Sequence, residues 1–81
     1  MTIDPRVQQV LDETDGNTYV SVRLRLAELG LPQERRDRLE EMHHTSFMQT
    51  GRLATVVVPR KHVDEIASWG DVTAITEIRV Y

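Results

Sequence analysis

The chain has 81 residues, enough for one small domain, spanning residues 1–81, and too few for two. Its net charge of −3, from 10 basic and 13 acidic residues, argues against general nucleic-acid binding, which needs a basic surface. The absence of cysteine excludes disulfides, thiolate metal sites and a thiol nucleophile. The polar, acidic N-terminal stretch does not match a signal peptide, and no apolar run approaches the ~20 residues of a membrane helix. We therefore expect a cytoplasmic protein without a membrane partner.

The first part of the chain predicts a short helix and then a strand. Asp4 is a suitable N-cap, and Pro5 suits the first helical position because it has no N–H to leave unpaired. Apolar and polar residues alternate over residues 18–26. One face would carry Val20, Val22, Leu24 and Leu26, and the other Tyr19, Ser21, Arg23 and Arg25. The second face would meet water or a partner.

Residues 33–44 predict a helix with a narrow apolar stripe, of which Leu39 and Met42 are the clearest inward residues. A short basic run on this helix is interleaved with acidic residues, a pattern typical of a solvated face. The run consists of Arg35, Arg36 and Arg38. Nucleic-acid binding is the alternative that this run leaves open, and we expect none.

A β-hairpin is predicted next, with strands at 45–49 and 52–58 and a tight turn at Thr50-Gly51. The second strand would have one face of Ala54, Val56 and Val58 and another of Leu53, Thr55 and Val57. Because both faces are largely apolar, this strand is expected to be central or covered. Met48 is interpreted as filler of the core.

The last part of the chain predicts a helix and a final strand. Pro59 ends the preceding strand and starts a helix over residues 60–69. Trp69 is expected to anchor the edge of the core, and Gly70 to cap the helix. Residues 72–80 are rich in Val, Ile and Thr and predict an edge or pairing strand.

The predicted order is a short N-terminal helix followed by β-α-β-β-α-β. This order indicates an α+β fold with the ferredoxin-like plan, in which two helices cover one face of a four-stranded antiparallel sheet. No internal repeat, low-complexity segment or linker interrupts the pattern.

The sequence favours no catalytic or metal-binding residues. His43 and His44 are adjacent, and His62 lies in the other predicted helix. Neighbouring helical residues point about 100° apart, which suits two ligands of one ion badly. No nucleophile motif such as G-x-S-x-G is present. We therefore expect no metal, no cofactor and no enzymatic activity.

The stretch from Gly51 to Ile78 resembles the second half of the propeptide-like inhibitor domains of subtilisin-type serine proteases, a group that includes the fungal proteinase B inhibitors. The matching features are the turn at Gly51, the strand Ala54-Thr55-Val56-Val57-Val58, the helix residues Val63, Ile66 and Ala67, and the strand Val72-Thr73-Ala74-Ile75 with Glu77. The first half, "DPRVQQVLDE" followed by "YVSVRLRL", is similar to the opening of prodomains in bacterial subtilases.

The resemblance implies the same fold and a mode of action. The outer face of the sheet would pack on two surface helices of the protease, and the C-terminal tail would lie in the substrate cleft like a bound product. In this chain the outer face would be Arg23, Arg25, Leu53, Thr55 and Val57. The tail would be Ile78, Arg79, Val80 and Tyr81.

Three classes of function follow. The first is a protein-binding module that acts in trans as an inhibitor and/or folding chaperone of a subtilisin-like protease. The second is a ferredoxin-like interaction module without a protease target, which pairs with another protein or forms a homodimer through the edge of its sheet. The third is a small enzyme or ligand-binding domain, for which no convergent polar cluster is visible.

Overall fold

A five-stranded sheet and three helices form a mixed α+β structure, seen in a computed structural model that describes residues 2–81. The elements are β1 (Thr2–Ile3), α1 (Pro5–Glu13), β2 (Tyr19–Leu26), α2 (Gln33–Glu41), β3 (Ser46–Thr50), β4 (Leu53–Pro59), α3 (Val63–Ser68) and β5 (Val72–Val80). A single 3₁₀ turn, Arg60–His62, leads into α3. The strand order is β1-β5-β2-β4-β3, and all neighbours are antiparallel except β1 and β5. No helix within residues 2–81 is long and apolar enough to cross a bilayer.

The sheet has one strand more than the four that were expected. The additional strand, β1, pairs in parallel with Ala74 and Ile75 of β5. The N–H of Asp4 extends this pairing with a hydrogen bond of 3.3 Å to the carbonyl of Ile75. A strand of two residues has no periodicity to read, and its partner lies about 70 residues away, so the sequence pattern could not indicate it.

The core lies against the face of the sheet that the alternation predicts. β2 and β4 bury Val20, Val22, Leu24, Leu26, Ala54, Val56 and Val58. The helices and their C-terminal ends add Val7, Leu11, Leu39, Met42, Val63, Ile66 and Trp69 to the same cluster. The predicted facing of both strands and the predicted roles of Met42 and Trp69 are therefore confirmed.

Helix α2 buries only one residue within its bounds, Leu39, so apolar packing alone holds it weakly. A bidentate ion pair joins it to α3: Nε and Nη2 of Arg38 donate to the two carboxylate oxygens of Glu65, each at 2.7 Å. This fork geometry is the strongest form of an arginine–carboxylate contact. It fixes the orientation of the two helices.

Two more arginines of α2 contact neighbouring elements. Nε of Arg35 lies 2.8 Å from a carboxylate oxygen of Asp71, and its guanidinium lies 5.0 Å from the ring centre of Trp69. The guanidinium of Arg36 lies 4.7 Å from the ring centre of Phe47 in β3. The basic run that was interpreted as a solvated face therefore fastens α2 to the rest of the domain, through charge pairs and cation–π contacts.

The hairpin turn lies one residue later than expected. Thr50 pairs with Leu53, which leaves Gly51 and Arg52 as the two loop residues. Gly51 has φ of 60°, a left-handed conformation that a two-residue turn with glycine in its first position requires. The position of this glycine sets the register of β3 against β4.

Helices α2 and α3 end differently. α2 is followed by His43 in the left-handed region with φ of 61°, and the hydroxyl of Tyr19 donates to the carbonyl of His43 at 3.1 Å. α3 ends at Ser68, and Trp69 is extended. Gly70 has no positive φ, so the expected glycine cap is wrong. The extended Trp69 turns the chain into β5 instead.

Candidate functional site

Five predicted contact residues lie together on the outward face of β2 and β4. The register places Arg23 opposite Thr55, Arg25 opposite Leu53, and Ser21 opposite Val57. We call the set Arg23, Arg25, Leu53, Thr55 and Val57 the outer-face cluster. Side chains of paired residues stand about 5 Å apart on one face of a sheet, so the cluster forms a continuous surface.

The outer-face cluster combines exposed apolar and charged groups. Leu53 is 42% exposed, and Thr55 and Val57 are half-buried between their strand neighbours. Arg23 Nη1 lies 3.2 Å from Oε1 of Glu77 on β5, and both side chains are largely exposed. Such a surface pair contributes little to stability. Within residues 2–81 no carboxylate lies within ion-pair distance of Arg25, which leaves that guanidinium available to an acidic partner.

Met48 belongs to this surface, although it was expected in the core. It pairs with Thr55 and is 70% exposed. The turn at Gly51 puts Phe47 opposite the buried Val56, and a neighbouring residue in a strand must point to the other face. The predicted turn at Thr50-Gly51 would pair Met48 with Leu53, which is also outward, so the expected core position followed from the residue type and not from the register.

The predicted tail is part of the sheet. Ile78, Arg79 and Val80 of β5 pair with Val22, Ser21 and Val20 of β2. The N–H of Tyr81 donates to the carbonyl of Tyr19 at 3.1 Å, while the side chain of Tyr81 is 69% exposed. The backbone of this segment is therefore paired on the β2 side, and its last side chains are free to contact a partner.

Tyr81 lies just beyond the Val57 end of the outer-face cluster and far from its Leu53 end. Leu53 is opposite Arg25, near the end of β2, whereas Tyr81 bonds to Tyr19 at the start of that strand. Six residues of a strand span roughly 20 Å. The structure thus brings the five outer-face residues together, with Tyr81 beyond their Val57 end, so a partner that contacts both Leu53 and Tyr81 must span roughly 20 Å of the sheet.

A shallow, open groove of about 620 Å³ runs between α1 and the second half of β5. Arg6, Val7 and Val10 line it on the helix side, and residues 76–79 line it on the strand side. It continues onto the outward face at Arg23. An extended segment fits such a groove better than a compact small molecule, since little of its surface is enclosed.

The three histidines do not form a common site. Nδ1 of His44 lies 3.0 Å from the carbonyl oxygen of Leu39. Burial lowers the pKa of His62 below its ordinary value, and the positive charge of Lys61 acts in the same direction. Within residues 2–81 no group of three histidine, aspartate or glutamate side chains is arranged to hold a metal ion.

The chain was compared with protein-family models, with curated proteins and with solved structures, and none of them matched. The outward face of the sheet and the residues of β5 are therefore the features of this chain that bear on its function.

Proposed function

We propose that this chain is a protein-binding module that acts in trans on a subtilisin-like serine protease, as an inhibitor and/or folding chaperone. The outer-face cluster, together with Met48, is the observation that carries the proposal. Methionine and arginine are enriched in protein interfaces relative to the rest of protein surfaces. Here Met48 and Leu53 expose apolar surface beside Arg23 and Arg25 on three adjacent strands of a rigid sheet.

The order of elements from β2 to β5 supports the finer assignment of the fold. These four strands and α2 and α3 follow the chain order β-α-β-β-α-β, and the strands lie side by side as β5-β2-β4-β3. We propose that this part of the chain has the ferredoxin-like plan, to which β1 and α1 are additions. The resemblance to subtilase propeptides implies the same plan.

Binding would use two parts of the surface with different physical roles. The outer-face cluster is already exposed and needs no rearrangement to pack on a protease. The C-terminal residues Val80 and Tyr81 would add a strand to the substrate cleft, where main-chain hydrogen bonds give affinity and a pocket accepts the last side chain. To do so they must leave β2, which breaks the hydrogen bond between Tyr81 and Tyr19 at a net cost of about 1 kcal/mol.

The activity proposed is binding, with no catalytic role for any side chain of this chain. Three exposed or half-exposed groups would dominate the interface: the guanidinium of Arg25, the side chain of Leu53 and the ring of Tyr81. Tyr and Arg are the residue types that most often carry binding energy at interfaces. A cytoplasmic location remains a prediction from the sequence.

The proposal is tested by titrating a panel of subtilisin-like proteases with the chain and following hydrolysis of a chromogenic peptide. The double variant Met48→Asp with Leu53→Asp should weaken inhibition about 100-fold, since it places two charges in the centre of the interface. Leu29→Asp is the matched control, because Leu29 is 74% exposed and lies in the loop between β2 and α2.

The chaperone function needs a second measurement. A denatured protease is refolded with and without the chain, and the recovered activity is compared after the chain has been removed. The proposal expects a higher yield with the native chain and a smaller gain with the double variant. If the chain neither inhibits any protease of the panel nor raises a refolding yield, the proposal is wrong.

A further inference from the structure

The second half of β5 has a free edge. β1 covers only Ala74 and Ile75, and within residues 2–81 no strand pairs with β5 beyond them on that side. Because the N–H of Tyr81 points to β2 and peptide groups alternate in an antiparallel pair, the N–H and C=O groups of Ile78 and Val80 point to the free edge. Such an edge is a template for another strand.

The side chains along this edge have a specific order. Glu77 and Arg79 pair with outward-facing residues of β2, and Ile78 between them pairs with the buried Val22. Ile78 packs against the core and lines the groove beside α1. A strand that fills this edge must therefore offer an apolar residue toward the groove, flanked on the outward face by one basic and one acidic residue.

We propose that the strand that fills this edge is β5 of a second copy of the chain, in an antiparallel register centred on Ile78. In this register each Glu77 lies opposite the Arg79 of the other copy, so that two ion pairs form on the outward face. The two Ile78 side chains meet on the groove side, near Val7 and Val10. In an antiparallel pair the charges of Glu77-Ile78-Arg79 are thus complementary to those of the same three residues in the second copy.

Charge selects this register among its neighbours. A register centred on Arg79 would place the two Arg79 guanidinium groups opposite each other. A register centred on Glu77 would place the two Glu77 carboxylates opposite each other. Like charges in directly opposite positions destabilise a strand pair, whereas opposite charges stabilise it. The register centred on Ile78 is the one of the three without such a clash.

The geometry also limits the assembly. A two-fold pair uses the same edge of both copies, so the interface is self-complementary and closes at two chains. The strand pair covers about five residues of each copy, so the interface is small and the dimer is weak. Because the ion pairs are exposed, salt should weaken it further. This inference does not depend on a protease target, since it concerns the chain alone.

Sedimentation equilibrium of the full chain at low ionic strength, from about 10 μM to about 1 mM, tests the proposal, because this range covers weak dissociation constants. The native chain should dimerise reversibly. Glu77→Arg and Arg79→Glu should each raise the Kd about 10- to 100-fold, since each turns two attractions into repulsions. An equimolar mixture of the two variants should dimerise again, because each supplies the charge that the other lacks.

Two further variants test separately the change of net charge and the role of the backbone at the free edge. Glu28→Arg makes the same change of charge in an exposed position of the loop between β2 and α2, and should leave the Kd unchanged. Val80→Pro keeps both charges but removes an N–H from the free edge, and should raise the Kd. Thermal melts establish that each variant is folded. A native chain that is monomeric at about 1 mM, reversals that dimerise like the native chain, or a mixture that stays monomeric would each overturn the proposal.

Discussion

The peptide N–H of Tyr81 donates a hydrogen bond of 3.1 Å to the carbonyl of Tyr19, so β5 remains attached to β2 at residue 81. The ring of Tyr81 is nevertheless 69% exposed. The backbone is therefore engaged and the side chain is available, which separates two ways of binding a protease. A cleft-binding tail has to detach from β2, whereas binding through the outer-face cluster would need no rearrangement of the sheet.

Deletion of Val80 and Tyr81 should preserve the fold and weaken protease inhibition. The two side chains are 46% and 69% exposed, so the core loses little. Loss of an anchoring side chain from a protease pocket should reduce binding by about 2–4 kcal/mol. Circular dichroism checks the fold and the inhibition constant checks the binding. Unchanged inhibition would exclude the tail mechanism and assign the binding to the outer-face cluster.

Val56→Asp and Val57→Asp should differ strongly in their effect on stability. Val56 is completely buried between the sheet and the helices, so an aspartate there places an unpaired charge in the core and should unfold the domain. Val57 is half-buried on the outward face, where a carboxylate keeps contact with water. Thermal melts of the two variants compare them directly. Equal losses would mean that both faces of β4 are enclosed.

Glu65→Gln should destabilise the domain near neutral pH, because it removes the charge that holds Arg38 between α2 and α3. The hydrogen bonds from Arg38 keep the pKa of Glu65 below its ordinary value, although burial opposes them. The stabilisation is therefore present above the unfolded-state pKa and is lost as the pH falls through the folded-state pKa. The Tm at pH 7 should fall by about 1–5 °C.

Glu41→Gln is the control for this pair. Oε2 of Glu41 also lies 3.2 Å from Nη1 of Arg38, but the side chain of Glu41 is 67% exposed. Both residues belong to the last turn of α2, so this contact does not join α2 to another element. Its loss should change the Tm less than the loss of Glu65. A smaller effect of Glu65→Gln than of Glu41→Gln, or an effect that persists unchanged in acid, would contradict the assigned role.

Stability should rise with pH between the folded-state pKa of His62 and its unfolded value near 6.5. Burial lowers the pKa of this imidazole in the folded chain, and the charge of Lys61 adds to the effect. In that pH window the unfolded chain binds more protons than the folded chain, so acidification favours unfolding. Denaturant titrations across the window should show the slope, and His62→Gln should reduce it. An equal slope in the variant would assign it to other groups.

The strands with clear alternation were predictable from the sequence, and so was their facing. β2 and β4 bury every second residue, and the predicted inward residues Val22 and Val56 have no exposed surface. The helices were predictable from their apolar residues and from the prolines at or just before their first turns. These features are local, since the period of two or 3.6 residues alone decides which side chains reach the core.

Features that depend on long-range pairing were not predictable in the same way. β1 forms because it pairs with the edge of β5, and a segment of two residues is too short to show the alternation that indicates a strand. Met48 was misplaced because its residue type is typical of core filler, whereas its position in the strand pair decides which face it occupies. Glu77 was not expected beside Arg23, since that pair depends on the register between β2 and β5.

The most direct test of the central claim is a calorimetric titration of the chain into a subtilisin-like protease whose nucleophilic serine has been replaced by alanine. This substitution separates binding from hydrolysis of the chain. The account predicts a complex of one chain with one protease, which the double variant Met48→Asp with Leu53→Asp weakens about 100-fold while Leu29→Asp binds like the native chain. If no complex forms with any subtilisin-like protease at about 100 μM, or if the double variant and Leu29→Asp bind equally well, the outer-face cluster is not a protease-binding surface.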